Sequence, residues 1–258
     1  MDALSPAAIL NGLCTDSLGQ HVVYYPTVDS TNSVAKTLAQ QGAVEGTLVI
    51  ADEQTAGRGR LGRRWLAPRG TCLLLSLIFR PDWEVRRAQE LTMICGLGIR
   101  EAIREVTGLP AQLKWPNDIM LRSRKAGGIL TEVSSSGGHL DYAVVGIGLN
   151  VNLQVTALPA EFNATSIEHE LGRAMPRVSL LQQALMHIEE RYCALQAGKS
   201  PVREWAAALE TLGQQVQLHT AQDTWQGLAM AVDDEGALLL RLDDGQVKRV
   251  LAGDIVPQ

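Results

Sequence analysis

A nine-residue apolar run, Thr71–Phe79, constrains the fold of this chain more than any other segment. A run of this length predicts a buried strand that is covered on both faces. It follows strands predicted at His21–Tyr25 and Gly46–Asp52 and precedes a long helix predicted over Val85–Val106, with Gly108 as its stop signal. Because strands and helices do not alternate strictly in the first part of the chain, the pattern favours an α+β fold over a doubly wound one.

Shorter patterns complete the chain. Helices are predicted at Pro6–Leu13, from the N-cap candidates 29–32 through Ala39, at Val178–Leu195 and at Pro201–Leu212, and strands at Leu113–Trp115, Gly127–Val133 and Leu140–Val151, the last two paired. After Gly213, short alternating segments separated by Asp- and Gly-rich turns predict a small barrel or sandwich. These segments are Val216–His219, Trp225–Val232, Ala237–Leu242 and Val247–Leu251. We therefore predict two domains, residues 1–212 and 213–258.

Composition excludes several classes of protein. The 258 residues include 23 basic and 28 acidic side chains, a net charge of −5. A chain with a net negative charge does not attract nucleic acid over its whole surface, so we expect no nucleic-acid partner. A local basic patch that binds nucleic acid remains an alternative. The apolar runs are too short for a bilayer and residues 1–13 lack a basic residue, so we expect a cytoplasmic protein without membrane contact. The four dispersed cysteines are interpreted as reduced and mostly buried.

The loop Gln54–Gly70 is rich in glycine and arginine. Residues 57–62 match G-x-G-x-x-G, but Pro68 and Gly70 follow and no helix opens, which argues against a dinucleotide-binding fingerprint. Five arginines lie within twelve positions: Arg58, Arg60, Arg63, Arg64 and Arg69. Because forked guanidinium donors suit phosphate, one hypothesis is a loop that orders over a bound phosphate. The alternative is a solvated basic loop or a weak nucleic-acid patch.

Three further clusters carry polar or small residues. In Lys114-Trp115-Pro116-Asn117-Asp118, the lysine suits a phosphate and the last two residues suit Mg²⁺, while a tight turn is the alternative. Arg124-Lys125-Ala126-Gly127-Gly128 places cations before a strand of small residues, or forms a basic hairpin tip. Gly146-Ile147-Gly148 leaves one strand face bare, which suits close approach of a ligand or of another chain segment.

Together these segments resemble the biotin–protein ligases, or biotin–[acetyl-CoA-carboxylase] ligases. The matching pieces are 29–32, Gln54, Gly57–Gly62 with Arg63 and Trp65, Lys114–Asp118, Lys125 with 127–130, and Gly146–Asn150. The resemblance covers nearly the whole chain and implies an α+β catalytic domain with a mixed β-sheet and flanking helices, followed by a small SH3-like β-barrel. Relatives that repress transcription carry an N-terminal winged helix, for which too little chain precedes Asp29, so we expect a monofunctional ligase. Ala126-Gly127 stands where Leu-Ala is common in the family.

The resemblance implies a reaction that uses ATP and Mg²⁺ in two steps. The carboxylate of biotin attacks the α-phosphate of ATP, giving biotinyl-5′-AMP and pyrophosphate. A lysine of a biotin carboxyl carrier protein domain then attacks the mixed anhydride, giving an amide and AMP. Charge accumulates at phosphorus in the first step, so the site must offer cations and preorganised donors. The implied partners are biotin and the carrier domain, and the enzyme would be a monomer or a homodimer.

The resemblance also assigns roles to individual residues. Catalysis falls to Lys125, Arg60, Lys114 and Asp118, with Asp118 placing Mg²⁺ or the attacking lysine. Biotin contacts fall to Ser30, Thr31, Asn32, Gln54, Gly57, Arg58, Lys125, Gly127, Gly146 and Gly148. Nucleotide contacts fall to Arg58, Arg60, Arg63, Trp65, Lys114, Asn117 and Asn150. For Ser30 and Thr31 the alternative role is capping of the following helix.

Two other functions compete with this interpretation. A lipoate– or octanoate–protein ligase would share the fold and the chemistry, but the signature of that family, consecutive arginines followed by Ser-Gly-Gly, is absent from this sequence. A non-catalytic module that binds biotin or a nucleotide would explain a pocket, but not the concentration of cations suited to phosphate.

Overall fold

The computed structural model describes residues 4–157, 162–220 and 222–257. Its larger sheet contains β1 (Val22–Tyr25), β2 (Leu48–Ala51), β3 (Cys72–Phe79), β4 (Ala111–Lys114), β5 (Asp118–Leu121), β6 (Arg124–Ser136) and β7 (His139–Asn150). The strand order is β1-β2-β3-β7-β6-β5-β4. The β1–β2 pair is parallel and the other described pairs are antiparallel, so the sheet is mixed and the predicted α+β class is confirmed.

The apolar run forms β3, which lies inside this sheet between β2 and β7 with every residue buried. The described helices are α1 (Pro6–Leu10), α2 (Thr31–Gln40), α3 (Ala88–Thr107), α4 (Ile167–Leu171), α5 (Arg177–Gln196) and α6 (Val202–Ala208). The long helices α3 and α5 cover one face of the sheet. On the other face α2 packs against Val49 and Ile78, while Cys72 and Leu74 pack with Leu153 and Trp65. The complete burial of β3 follows from this double covering.

The C-terminal strands form a second, antiparallel sheet. They are β8 (Gln215–His219), β9 (Thr224–Val232), β10 (Leu238–Arg241), β11 (Val247–Val250) and β12 (Asp254–Pro257), in the order β11-β10-β9-β8-β12. The indole nitrogen of Trp115 donates to the carbonyl of Gly236 at 3.0 Å, and apolar residues of both sheets share one core cluster. The two sheets therefore pack against each other close to the Lys114–Asp118 segment.

Several predicted boundaries differ from the structure. The helix predicted at Pro201–Leu212 ends at Ala208, because Leu209 is extended and bridges Leu113 of β4. The sequence patterns do not predict β5 and β12, since each is four residues long and follows or contains turn-forming residues.

The cysteines also differ from the prediction. Cys72 and Cys95 are buried, but Cys14 and Cys193 are exposed, so the expectation that most are buried holds for only two of the four.

Within residues 4–157, 162–220 and 222–257, each helix is too short or too polar to cross a bilayer.

Candidate active site

A cavity of about 710 Å³ opens over the face of β3, β7 and β6 that lies beneath the glycine–arginine loop. Most of the predicted site residues line it: Ser30, Thr31, Asn32, Gln54, Arg58, Arg60, Arg63, Trp65, Asn117, Asp118, Lys125, Gly146, Gly148 and Asn150. The fold thus brings together in one place the segments that the sequence analysis selected separately.

Two glycines of β7 form part of the cavity floor, and each makes room for a side chain. A Cβ on Gly146 would overlap the amide of Asn32, and a Cβ on Gly148 would lie 2.6 Å from the indole of Trp65. The bare strand face predicted for a ligand is therefore partly covered by the protein's own amide and indole. The indole nitrogen of Trp65 is buried and has no hydrogen-bond partner among the described residues, so it is a donor available to a bound molecule.

At the α2 end of the cavity, a buried hydrogen-bond network surrounds Thr31. Its backbone N–H donates to Gln54 Oε1 at 2.8 Å, and its hydroxyl lies 3.1 Å from the same oxygen and 2.8 Å from the hydroxyl of Ser76. Ser30 precedes the helix but its hydroxyl makes no capping bond, so its side chain does not play the alternative role of a cap. Ser30 and Gln54 therefore have polar atoms available to a ligand in the cavity.

Cations dominate another part of the cavity. Lys125 Nζ lies 2.6 Å from Asp118 Oδ1 and 6.0 Å from the centre of the Trp65 ring. Because Asp118 pairs with Gly128 across β5 and β6, and Gly128 pairs with Gly148, this ion pair stands beside the floor. The Lys125–Asp118 ion pair therefore lies beside Gly148. Gly146, over which the Asn32 amide lies, is two residues away along β7, a distance of roughly 7 Å.

The glycine–arginine loop covers the cavity and contacts the second sheet. Arg60 donates to Asn117 Oδ1 and to the carbonyl of Gly253, both at 3.2 Å, and Arg63 forms an ion pair with Asp254. Burial lowers the pKa of the Arg60 guanidinium, and a bound anion would offset that cost. The loop therefore presents arginines to the cavity while it is held at the start of β12.

Three predicted site residues do not line the cavity, and the first is Lys114. It lies on the edge strand β4, beyond Asp118, and opens onto a second cavity of about 560 Å³ that also contains Glu210. Burial lowers the pKa of Lys114 and raises that of Glu210. Lys114 is also the cross-strand partner of Asp118, which lines the first cavity, so its contact with ATP phosphates stays a prediction.

The other two are glycines. Gly127 faces the core, since a Cβ there would meet Ile119 and Leu149, and Gly57 packs against the backbone of Trp65. The residue that faces Trp65 and Lys125 is Gly128. Strand alternation explains the difference, because neighbouring residues of a strand face opposite sides of the sheet.

Sequence reasoning also misses residues at this site. Asp254 lines the cavity, but it lies in β12, which no pattern indicates. Ser76 and Glu132 do not line the cavity, but both form hydrogen bonds with the side chain of Asn32, which does. The period of two along β6 is a signal that could identify Gly128 and Glu132, which share a face, whereas nothing local identifies Ser76 inside its apolar run.

The residues that line the cavity supply enough ligands for Mg²⁺ only when the phosphates of a substrate supply the others. Within the described residues, no group of three or more His, Cys, Asp or Glu is placed to hold a metal. The two lining carboxylates that the structure describes, Asp118 and Asp254, are each paired with a cation. Mg²⁺ that arrives with nucleotide phosphates keeps several waters and needs one or two carboxylates, so this donor set fits it and Asp118 stays a predicted ligand.

Two family models match the chain. The biotin/lipoate A/B protein ligase family matches residues 24–150, and the biotin protein ligase C-terminal domain matches residues 211–256.

Individual relatives match over most of their length. A bifunctional ligase/repressor of Bacillus subtilis is 37% identical over 256 residues, covering 98% of this chain and 78% of the relative. A biotin–[acetyl-CoA-carboxylase] ligase of Paracoccus denitrificans is 35% identical, covering 83% of this chain and 91% of the relative. The biotin protein ligase of Aquifex aeolicus, solved with biotin and ATP, superposes with a TM-score of 0.77 at 30% identity, covering 93% of this chain and 99% of that one. On these matches, the chain belongs to the biotin protein ligases, within the biotin/lipoate A/B protein ligase family.

Proposed function

We propose that the protein is a biotin–[acetyl-CoA-carboxylase] ligase that activates biotin with ATP as biotinyl-5′-AMP and transfers it to a lysine of a biotin carboxyl carrier protein domain. The observation that carries the proposal is the polarity of the cavity. Neutral hydrogen-bonding groups of Thr31 and Gln54 lie at the α2 end, where the charge of Arg58 is paired with Glu132. The cations Lys125 and Arg60 lie toward β5 and β12. Such an arrangement suits a ligand with a polar neutral head and an anionic tail.

The neutral end suits the cyclic urea of biotin. Since the Thr31 N–H donates to Gln54 Oε1, the amide nitrogen of Gln54 is left as a donor. Ser30, beside it in the lining, supplies a hydroxyl. A urea carbonyl accepts from such donors, and its flanking N–H groups require acceptors. The Trp65 indole over Gly148 would then cover the apolar part of the ligand.

The cationic end suits the attack of one anion on another. When the biotin carboxylate approaches the α-phosphate, Lys125 would neutralise the charge of both groups. To do so, its ammonium group must contact them in addition to Asp118 or in place of it. Arg60 lies in the loop above and would cover the mixed anhydride, excluding water until the carrier lysine attacks. Mg²⁺ would supply further positive charge at the phosphates, with Asp118 as the candidate protein ligand.

Cys72 does not support a covalent enzyme intermediate. It pairs with Asn150 across β3 and β7, at the edge of the floor, but burial raises its pKa to about 11. It is therefore a protonated thiol at neutral pH and a poor nucleophile. The arrangement favours catalysis by positioning and by charge.

Pyrophosphate exchange into ATP tests the proposal directly. We expect exchange that requires biotin and Mg²⁺, and no exchange with lipoate or octanoate. Exchange with lipoate alone would keep the acyl-adenylate chemistry and overturn the substrate. Tight biotin binding without any exchange would instead indicate a binding module. Labelling of a purified carrier domain by the pre-formed adenylate then tests the second step.

A further inference from the structure

A chain of polar side chains leads from a carboxylate outside the cavity to its lining. Asn32 Nδ2 donates to Glu132 Oε2 at 2.8 Å, and Ser76 Oγ donates to Asn32 Oδ1 at 2.6 Å. Ser76 Oγ also lies 2.8 Å from Thr31 Oγ1, which is linked to Gln54. Ser76, Asn32 and Thr31 are at most 4% exposed, so water hardly competes for these bonds.

The orientation of the Asn32 amide is set by its surroundings. Its nitrogen has two protons, and these go to Glu132 and to the carbonyl of Leu130, the latter at 3.2 Å. Its oxygen therefore faces Ser76, in the space that a side chain on Gly146 would take. A reversed amide would place the oxygen against two acceptors and lose both hydrogen bonds, which is unfavourable.

The orientation of Asn32 fixes the hydroxyl protons beyond it. A serine hydroxyl has a single proton, and Asn32 Oδ1 takes that of Ser76. Thr31 then donates its own proton within the network, to Ser76 or to Gln54 Oε1, so toward a ligand in the cavity that it lines its hydroxyl can only accept. Gln54 Oε1 is held by the Thr31 N–H, so the amide nitrogen of Gln54 remains a donor.

Neighbouring side chains keep the carboxylate of Glu132 ionised. Burial opposes ionisation, but hydrogen bonds from Asn32 and Lys36 and the charge of Arg58 outweigh it and hold the pKa of Glu132 below its usual value. The carboxylate is therefore ionised at neutral pH. Lys36 Nζ bonds the other carboxylate oxygen at 3.1 Å, away from the path that leads through Asn32.

From this geometry we infer that Glu132 is a positioning residue for biotin, acting through Asn32 and Ser76 to fix Thr31 as an acceptor. This acceptor stands beside the Gln54 donor that the Thr31 N–H holds in place. The pattern matches a cyclic urea, in which an N–H donor stands next to a carbonyl acceptor. The inference rests on the proposed ligase function, and it adds a residue outside the cavity that determines how the head of the ligand is recognised.

The test measures KM for biotin, KM for ATP and kcat by pyrophosphate exchange, with melting temperature as a check on folding. Glu132→Met removes the acceptor at nearly constant length and leaves a buried amide proton unpaired. We expect KM for biotin to rise roughly 10- to 100-fold. KM for ATP should change by less than about 3-fold, because the exposed ion pair of Glu132 with Arg58 contributes little and the network includes neither Lys125 nor Arg60.

Matched variants separate this role from others. Glu132→Gln keeps an oxygen that can accept from Asn32, so KM for biotin should stay within about 5-fold of wild type. Lys36→Met removes an ion pair on the same carboxylate and should leave all three constants nearly unchanged. In an Asn32→Ala background, Glu132→Met should add little, since the path is already cut.

The outcomes are distinguishable. Wild-type protein without biotin-dependent exchange would overturn the proposed function, and this inference with it. If wild type exchanges, an unchanged KM for biotin in Glu132→Met overturns the inference alone. Equal defects in the Met and Gln variants also overturn it, because they would show that the charge acts on Arg58 rather than through Asn32. Parallel rises in both KM values with a lower melting temperature would show a structural role only.

Discussion

Arg63, in the loop over the cavity, forms an ion pair with Asp254 at the start of the last strand. In the same loop, Arg60 donates to the carbonyl of Gly253. The second sheet therefore holds both arginines in place above the cavity. Because the glycines of residues 57–62 allow this loop many conformations, such contacts reduce the entropy that a nucleotide must remove when it binds.

Asp254→Ala should accordingly weaken nucleotide binding more than it weakens the fold. The Arg63 side chain is 66% exposed, so the pair is worth about 1 kcal/mol at most. We expect KM for ATP to rise roughly 2- to 5-fold in pyrophosphate exchange, with little change in melting temperature. Glu84→Ala is the matched control, since Glu84 pairs with Arg86, which is also 66% exposed, and does not line the cavity. A lower KM for ATP would show instead that Asp254 repels the phosphates.

Lys125→Ala should remove the charge nearest the reacting anions. We expect single-turnover formation of biotinyl-5′-AMP to slow by a factor on the order of 10²–10⁴, the effect of losing one preorganised charge partner. The exposed Lys199, which does not line the cavity, provides the control variant Lys199→Ala. Adenylate formation near the wild-type rate would place Lys125 outside the reaction.

Arg60→Gly should release the adenylate early. The side chain holds the loop to Asn117 and to the carbonyl of Gly253, so its loss opens the cover over the mixed anhydride. We expect lysines of bystander proteins such as serum albumin to become biotinylated, as detected by avidin blotting. Arg69→Gly, in the same loop but outside the cavity lining, should not have this effect. A variant that still labels only the carrier domain would contradict the gating role.

The sequence predicts the elements of this fold better than it predicts their contacts. The apolar run of β3 and the long helix α3 have strong local patterns, and both form close to their predicted bounds. By contrast, β12 is stabilised by its pairing with β8, so its four residues carry little signal of their own. Asp254 enters the site only through that pairing.

The site shows the same limit at the level of side chains. The motifs around Arg60 and Lys125 stand out because charge and glycine cluster there, and the fold brings both to one cavity. Lys114 belongs to an equally distinctive motif, yet it lines a different cavity, because it lies on the edge strand β4, one strand beyond its partner Asp118. Spacing along the chain does not determine on which side of a neighbouring strand a side chain lies.

Gly148→Ala should disrupt the floor, whereas Gly128→Ala should be tolerated. A methyl group on Gly148 would lie 2.6 Å from the Trp65 ring, while one on Gly128 would be 3.4 Å from the same ring, at the edge of ordinary contact. Overpacking by one methyl group costs about 1–3 kcal/mol, so displacement of the indole should raise KM for biotin at least about 5-fold in Gly148→Ala. Equal KM values in the two variants would show that the indole does not contact biotin.

Cys72 provides a test of pH dependence and of mechanism together. Burial raises its pKa to about 11, so the folded state favours the thiol. This contribution to stability is complete below the unfolded pKa near 9 and is lost as the pH rises toward 11. Denaturant unfolding of wild type at about pH 8 and about pH 10.5 should therefore show a loss of stability, of which up to about 2 kcal/mol is absent in Cys72→Ala.

The same variant separates structure from chemistry. At about pH 8, iodoacetamide should label the exposed Cys14 and Cys193 in the native protein, and leave Cys72 and Cys95 unmodified until it is unfolded. Because the proposed reaction proceeds by charge stabilisation, Cys72→Ala should retain biotin-dependent pyrophosphate exchange within about 10-fold of wild type. Loss of exchange by more than about 10³-fold, in a variant that still folds, would indicate a thiol intermediate and overturn direct attack of the biotin carboxylate on ATP.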